Sequence, residues 1–196
     1  MAARISRSTR GEGLLDAHRA RALAETLHHA QRDASGAPLI DHVRRVATAV
    51  PHEARVVAWL HELLEHTPTS EADLLMEGLT TAELRALRLL TRDTDSRSDA
   101  IYLAHIEALA QARGPGADVA QSVKRADLID RARHPSIRPD GWSPPYELGL
   151  EVLERAAPHR PAPNRSWWSP EPGRPAEAAR DAEGRARPKS DAGHDA

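Results

Sequence analysis

Residues 53–67 read EARVVAWLHELLEHT, and this stretch decides the fold. Glu53, Val57, Leu60 and Leu64 recur at helical spacing with only the first of them polar, and Pro51 and Pro68 bound the segment. The same period appears upstream in Ala20, Leu23, Leu27 and Ala30, and downstream in Tyr146, Leu150, Leu153 and Ala157. No segment alternates with the period of two that a half-buried strand requires. Local punctuation cuts the chain into helices of ordinary length. Gly36 and Pro38 precede a start near Ile40, Thr80 or Thr81 caps another, Gly114 to Gly116 form a break, and Pro144 and Pro145 open the last. Seven or eight helices in an all-α bundle are expected. The chain contains no phenylalanine, so its core must be built from Leu, Val and Ala, which helices accommodate readily.

The 196 residues suit one domain, at roughly 100–200 residues per domain. Residues 13–157 carry the helical pattern. Residues 158–196 hold seven of the fifteen prolines and no Leu, Ile, Val or Met, too little apolar surface to offset the ordering of the chain, and they read as a disordered tail. Residues 1–12 read the same way. Trp167 and Trp168 are the tail's only large apolar groups; they read as a loose exposed pair, with docking on the domain or on a protein partner as the alternative. A balance of 27 basic and 29 acidic side chains provides no overall field to gather a nucleic acid polymer or an anionic membrane. No apolar run approaches the ~18 residues of a membrane span, and a cytoplasmic location is expected. With no cysteine, thiolate metal sites and cysteine nucleophiles are excluded, so any metal must rest on His, Asp or Glu.

The richest set of such side chains is His61-Glu62-Leu63-Leu64-Glu65-His66. The zinc-protease pattern of two histidines four apart fails, because Glu65 stands at the second place. The inverted pattern fails as well, since His61 and His66 are five apart and diverge at about 100° per residue. What remains is His61 beside Glu62, with Glu65 and His66 each one turn further on. Asp127 and Asp130 lie three apart in VKRADLIDR, and His42 lies in PLIDHVRRVA. Imidazole with carboxylate suits manganese, iron or zinc, and open positions on such an ion allow hydrolytic chemistry.

Taken with their spacing, these segments resemble the motifs of HD-domain phosphohydrolases related to the RelA/SpoT alarmone hydrolases. Residues 28–42, HHAQRDASGAPLIDH, resemble that family's H-x-G-Q-x-x-x-x-G-x-P-Y-x-x-H, with His28, Gln31, Gly36, Pro38 and His42 in place. AWLHELLEHT resembles L-L-H-D-x-x-E-D-T, and VKRADLIDR resembles V-K-L-A-D-x-x-x-N. The order and separations agree, and the likeness runs from His28 to about Ala157. It implies a helical bundle in which His42, His61, Glu62 and Asp127 hold one divalent ion, manganese by family habit, with iron or zinc as other candidates. It further implies phosphoester or pyrophosphate hydrolysis on a nucleotide or related metabolite, (p)ppGpp among them. Glu65 and His66 take the places of the acidic pair that orients and activates water.

The chain departs from the family pattern at several positions. Glu62 is longer than the family's aspartate by one methylene, about 1.5 Å of reach. His66 replaces a carboxylate, and Arg131 replaces an asparagine one turn after Asp127, where an ion pair competes with a metal for that carboxylate. Leu39 replaces a tyrosine, and Asp33 and Ala34 stand where alarmone hydrolases carry Arg-Lys. Arg44, Arg45, Lys124 and Arg131 are the candidate phosphate-binding groups, their simpler reading being solvated helix faces. Asp130 reads as a solvated or helix-pairing carboxylate, and the histidines at 18, 29, 52, 105 and 134 match no motif. Substrate choice is expected to lie in loops such as Arg92 to Ser98. Three function classes follow: a metal-dependent phosphohydrolase, a degenerate HD domain that binds a nucleotide, metal or protein without turnover, and, third in order, an interaction protein whose tail docks through Trp167 and Trp168.

Overall fold

The computed structural model describes residues 14–92, 98–135 and 143–156. The expected tails 1–12 and 158–196, the Trp167–Trp168 pair and most of the Arg92–Ser98 loop lie outside the described residues. The chain divides into two units, Met1–Pro158 and His159–Ala196, and the helices belong to the first.

That unit is all-α. Its helices are α1 (Ala17–Leu27), α2 (Leu39–Ala49), α3 (Arg55–Leu60), α4 (Leu63–His66), α5 (Glu71–Met76), α6 (Thr81–Leu90), α7 (Asp99–Gln111), α8 (Ala117–Arg133) and α9 (Tyr146–Ala156), with a 3-10 turn at His52–Ala54. Among the described residues there is no strand, only a single antiparallel bridge between Arg32 and Pro38. The helix expected across 53–67 is interrupted at His61 and Glu62. Both residues keep right-handed helical dihedrals, so α3 and α4 are two parts of one interrupted helix, which makes eight helices among the described residues, within the expected seven or eight.

Local chemistry explains the boundaries. Asp16 caps α1 by accepting from the Arg19 amide. Ser70 with Asp73, and Thr80 with Glu83, form reciprocal capping boxes at α5 and α6. Asp33 Oδ1 accepts from the Ser35 and Ala37 amides and folds the loop before α2, which turns at Gly36 with φ +85°. Asp33 is therefore a loop-forming residue. The helix α1 ends before Ala30, which is exposed and plays no part in the core assigned to it by periodicity.

The interrupted helix α3–α4 lies at the centre. The segment α3 packs on α1, α2, α6 and α8, while α8 in turn meets α2, α6, α7 and α9. Val43 and Val46 of α2, Val57, Leu60 and Leu63 of α3–α4, Leu87 of α6, Ile106 and Leu109 of α7, and Val123 and Leu128 of α8 are fully buried. Each contributes about 1.5–3 kcal/mol through removal from water. The crossing of α6 and α8 is close: a Cβ at Gly116, whose φ is +79°, would stand 2.1 Å from the Ala82 carbonyl oxygen. No described helix is long and apolar enough to cross a membrane.

Candidate metal centre

The helix α8 is unusual in the bundle because it buries charge. Lys124, Asp127 and Asp130 are all buried, spaced three apart, on a helix that otherwise buries Ala120, Val123 and Leu128. Such groups must find partners, since an unpaired buried charge is too costly to keep. Their partners come from α2 and from the interruption between α3 and α4.

His42 of α2, His61 and Glu62 at the interruption and Asp127 of α8 each present one donor atom, and these four atoms lie within 4.8 Å of one another. His42 Nε2 is 3.3 Å from His61 Nε2, 3.5 Å from Glu62 Oε1 and 3.3 Å from Asp127 Oδ1. His61 Nε2 is 3.2 Å from Glu62 Oε1. The extra methylene of Glu62 does not carry its carboxylate away from the group. All four side chains are buried, and this buried cluster could hold a metal ion.

The outer nitrogens of both imidazoles are spoken for. His61 Nδ1 donates to the Ala58 carbonyl at 2.7 Å, and His42 Nδ1 lies 2.7 Å from Asp130 Oδ2. Each bond fixes the ring and leaves Nε2 facing inward, as in carboxylate–histidine–metal arrangements. Asp130 is held in turn by Arg45, whose Nε and Nη2 donate to its two oxygens at 2.6 and 3.0 Å. Asp130 is thus buried and not solvated, and beyond the expected helix pairing, which it makes with His134 at 3.2 Å, it has a further role. It orients His42, and Arg45 orients Asp130.

Two cations sit directly on the acidic donors. Lys124 Nζ donates to Asp127 Oδ2 at 2.8 Å, Arg131 Nε donates to Asp127 Oδ1 at 2.7 Å, and Arg131 Nη2 donates to Glu62 Oε1. Burial opposes ionisation of both acids, but Arg131 with the histidines holds Glu62, and Lys124 with Arg131 holds Asp127, well below the usual carboxylate range. Burial and Arg131 likewise oppose a charged His42. Its hydrogen bonds to Asp127, Asp130 and Glu62 outweigh them and raise its pKa to about 10. The inward-facing carboxylates of Glu62 and Asp127 therefore already attract positive charge, that of His42 included.

The remaining expected site residues sit further out. His66 is half-exposed and its Nε2 is 2.8 Å from Glu62 Oε2, which raises its pKa. It supports Glu62 and is not among the four donors. Glu65 pairs with Arg92 at 2.9 Å. Arg44 is exposed and engaged by Asp41 at 2.8 Å and Glu25 at 3.6 Å, so it does not join the cluster. His28, fully buried, bonds through Nδ1 to Gln31 Oε1 at 2.6 Å, and Gln31 Nε2 donates to the His66 carbonyl at 2.6 Å. These motif residues tie the loop before α2 to the end of α4.

Two groups outside the motifs also border this region. Tyr102 of α7 is buried with no partner for its hydroxyl among the described residues. Burial pushes its pKa up to about 12, with Lys124 and Asp127 among the charges it feels. His105, one turn on, has an unpartnered Nε2, and burial with Lys124 and Arg92 pushes its pKa down to about 4. Arg92 lies 5.8 Å from the centre of the Tyr102 ring. The only sequence signal for these two was their i, i+3 spacing on an apolar helix.

No protein-family model matches the chain, and a search of curated proteins finds no match.

Proposed function

We propose that this protein is a metal-dependent phosphohydrolase of the HD type, acting on a nucleotide or related phosphorylated metabolite. The observation that carries the reading is the convergence of His42 Nε2, His61 Nε2, Glu62 Oε1 and Asp127 Oδ1, with both outer imidazole nitrogens already committed. Two imidazoles and two carboxylates make a mixed shell of intermediate softness, suited to manganese and also to iron or zinc. A divalent ion supplies Lewis acidity there, acidifying a water and offsetting charge on a phosphoryl group. The chain's own contributions are distinct. Asp130 and Arg45 hold His42 in its tautomer, His66 braces Glu62, and Glu65 takes the motif's water-activating place, with Arg92 as its partner. A nucleotide or related metabolite as substrate fits a cytoplasmic setting.

A second reading is favoured by one contact. Arg131 bridges Glu62 and Asp127, and a chain that supplies its own cation to those acids suits a degenerate domain that binds a phosphorylated ligand without turnover. The test is metal content of the purified protein, followed by phosphate release from ppGpp and a nucleotide panel with added manganese. Stoichiometric metal with turnover supports the hydrolase. Metal or nucleotide binding with no product supports the degenerate domain, and no binding of either removes both readings.

A further inference from the structure

The acids of the cluster are already neutralised from within. Glu62, Asp127 and Asp130 are buried carboxylates, and Arg131, Lys124 and Arg45 supply three cationic partners for them. Lys124 and Arg45 occupy oxygens that face away from the four-atom group, namely Asp127 Oδ2 and the pair on Asp130. Arg131 differs. Its Nε and Nη2 take Asp127 Oδ1 and Glu62 Oε1, the same two oxygens that stand closest to His42 Nε2.

We infer that Arg131 and a divalent ion are rival occupants of Glu62 Oε1 and Asp127 Oδ1, and that the displaced guanidinium forms an anchor for a phosphate dianion. The inference rests on the metal reading above and deepens it. A cation is stable at those oxygens whichever kind it is, but both cannot keep their full contacts there. The side chain of Arg131 is 24% exposed against 4–7% for Glu62 and Asp127, so it lies on the solvent side of the acids and its way out is short. Its two-nitrogen edge already spans two carboxylate oxygens, and the same edge suits two oxygens of a phosphoryl group. Charge selects the ligand class. With His42 and His61 bound to it as neutral imidazoles, a divalent ion added to three acids and three cationic side chains leaves an excess of two positive charges, which a phosphomonoester dianion cancels. Metal and phosphate then bind with positive coupling, and each raises the affinity for the other by the same factor.

The test uses the full chain, calorimetric titration with manganese, and methyl phosphate as the anion. Wild type is expected to bind methyl phosphate at least tenfold more tightly with manganese than without. Arg131→Met should bind manganese at least tenfold more tightly than wild type, and its manganese-loaded form should bind methyl phosphate at least tenfold more weakly. Arg131→Lys keeps the charge but spans one oxygen at a time, so it too should bind manganese more tightly than wild type. Equal manganese affinity in wild type and both variants overturns the rivalry while leaving the metal site standing. Tighter binding in Arg131→Met alone reduces Arg131 to a bulk charge and also overturns it. Failure of all three proteins to bind manganese removes the metal reading and this inference with it. Should the variants fold poorly, wild type alone decides: the protected Arg131 Nε–H proton signal must be lost or shifted on zinc saturation, and an unchanged signal overturns the proposal.

Discussion

His42 Nδ1 and Asp130 Oδ2 are 2.7 Å apart across the contact between α2 and α8, and Asp130 is itself clamped by Arg45. This relationship puts Asp130 in position to orient His42 from behind, as a support and not as one of the four inward donors. Replacing Asp130 with Asn keeps the shape and removes the charge. The expected result is a folded protein whose manganese affinity falls about 10–100-fold. Unaltered affinity by calorimetry would show that His42 needs no such support.

His61→Ala removes one inward nitrogen and the back-bond to Ala58. Metal affinity should fall by more than the roughly 10–100-fold of an outer change, while stability drops by about 1–3 kcal/mol. Metal analysis alongside a urea melt separates the two effects. Retained stoichiometric metal would take His61 out of the site.

Glu62→Gln leaves Arg131 with Asp127 alone and takes a charge from a buried pair. In metal-free protein the loss should be about 3–5 kcal/mol, read as a lowered denaturant midpoint at pH 7. A loss below about 1 kcal/mol would mean that the contact is not maintained in solution.

His105 sets an acid limit on stability. Burial, with Lys124 and Arg92 nearby, holds its folded pKa at about 4, below the ordinary 6.5. The unfolded chain therefore takes up a proton first as the pH falls, and the His105 contribution, complete above 6.5, is lost between 6.5 and about 4. His28 is shifted the same way, so the informative quantity is the difference from His105→Asn. Wild type should lose stability more steeply than the variant over that window. Parallel curves would place His105 in contact with water.

Gly116→Ala tests the scaffold apart from the chemistry. A positive φ and a Cβ position 2.1 Å from the Ala82 carbonyl oxygen leave no room at the α6–α8 crossing. The substitution should cost at least about 2 kcal/mol in a thermal or urea melt. A neutral result would show that the two helices separate without penalty.

Much of the fold was legible because its signals are local. Thr80 with Glu83, Gly114 to Gly116 and Pro144–Pro145 act on backbone within a few residues, and each stands at the boundary expected of it. The interruption at His61–Glu62 was not legible, since both residues belong to an unbroken helical pattern. The four inward donors were found only through motif order. Arg44 and Arg45 could not be told apart in the sequence. They are neighbours on α2, and only the crossing with α8 decides that Arg45 meets Asp130 while Arg44 meets Asp41. The same crossing gives Asp130 a role that its position three residues after Asp127 does not announce.

Lys124, Asp127, Asp130 and Arg131 all ride on the unbroken α8, which begins at the Gly116 crossing. They are marks on one ruler. A single residue inserted between Gly116 and Lys124 would rotate every mark by about 100°, taking Asp127 and Asp130 away from α2 and Arg131 away from Glu62 together. An insertion after Arg133 would leave them in register, so tolerance to length change should switch abruptly from one end of this rod to the other.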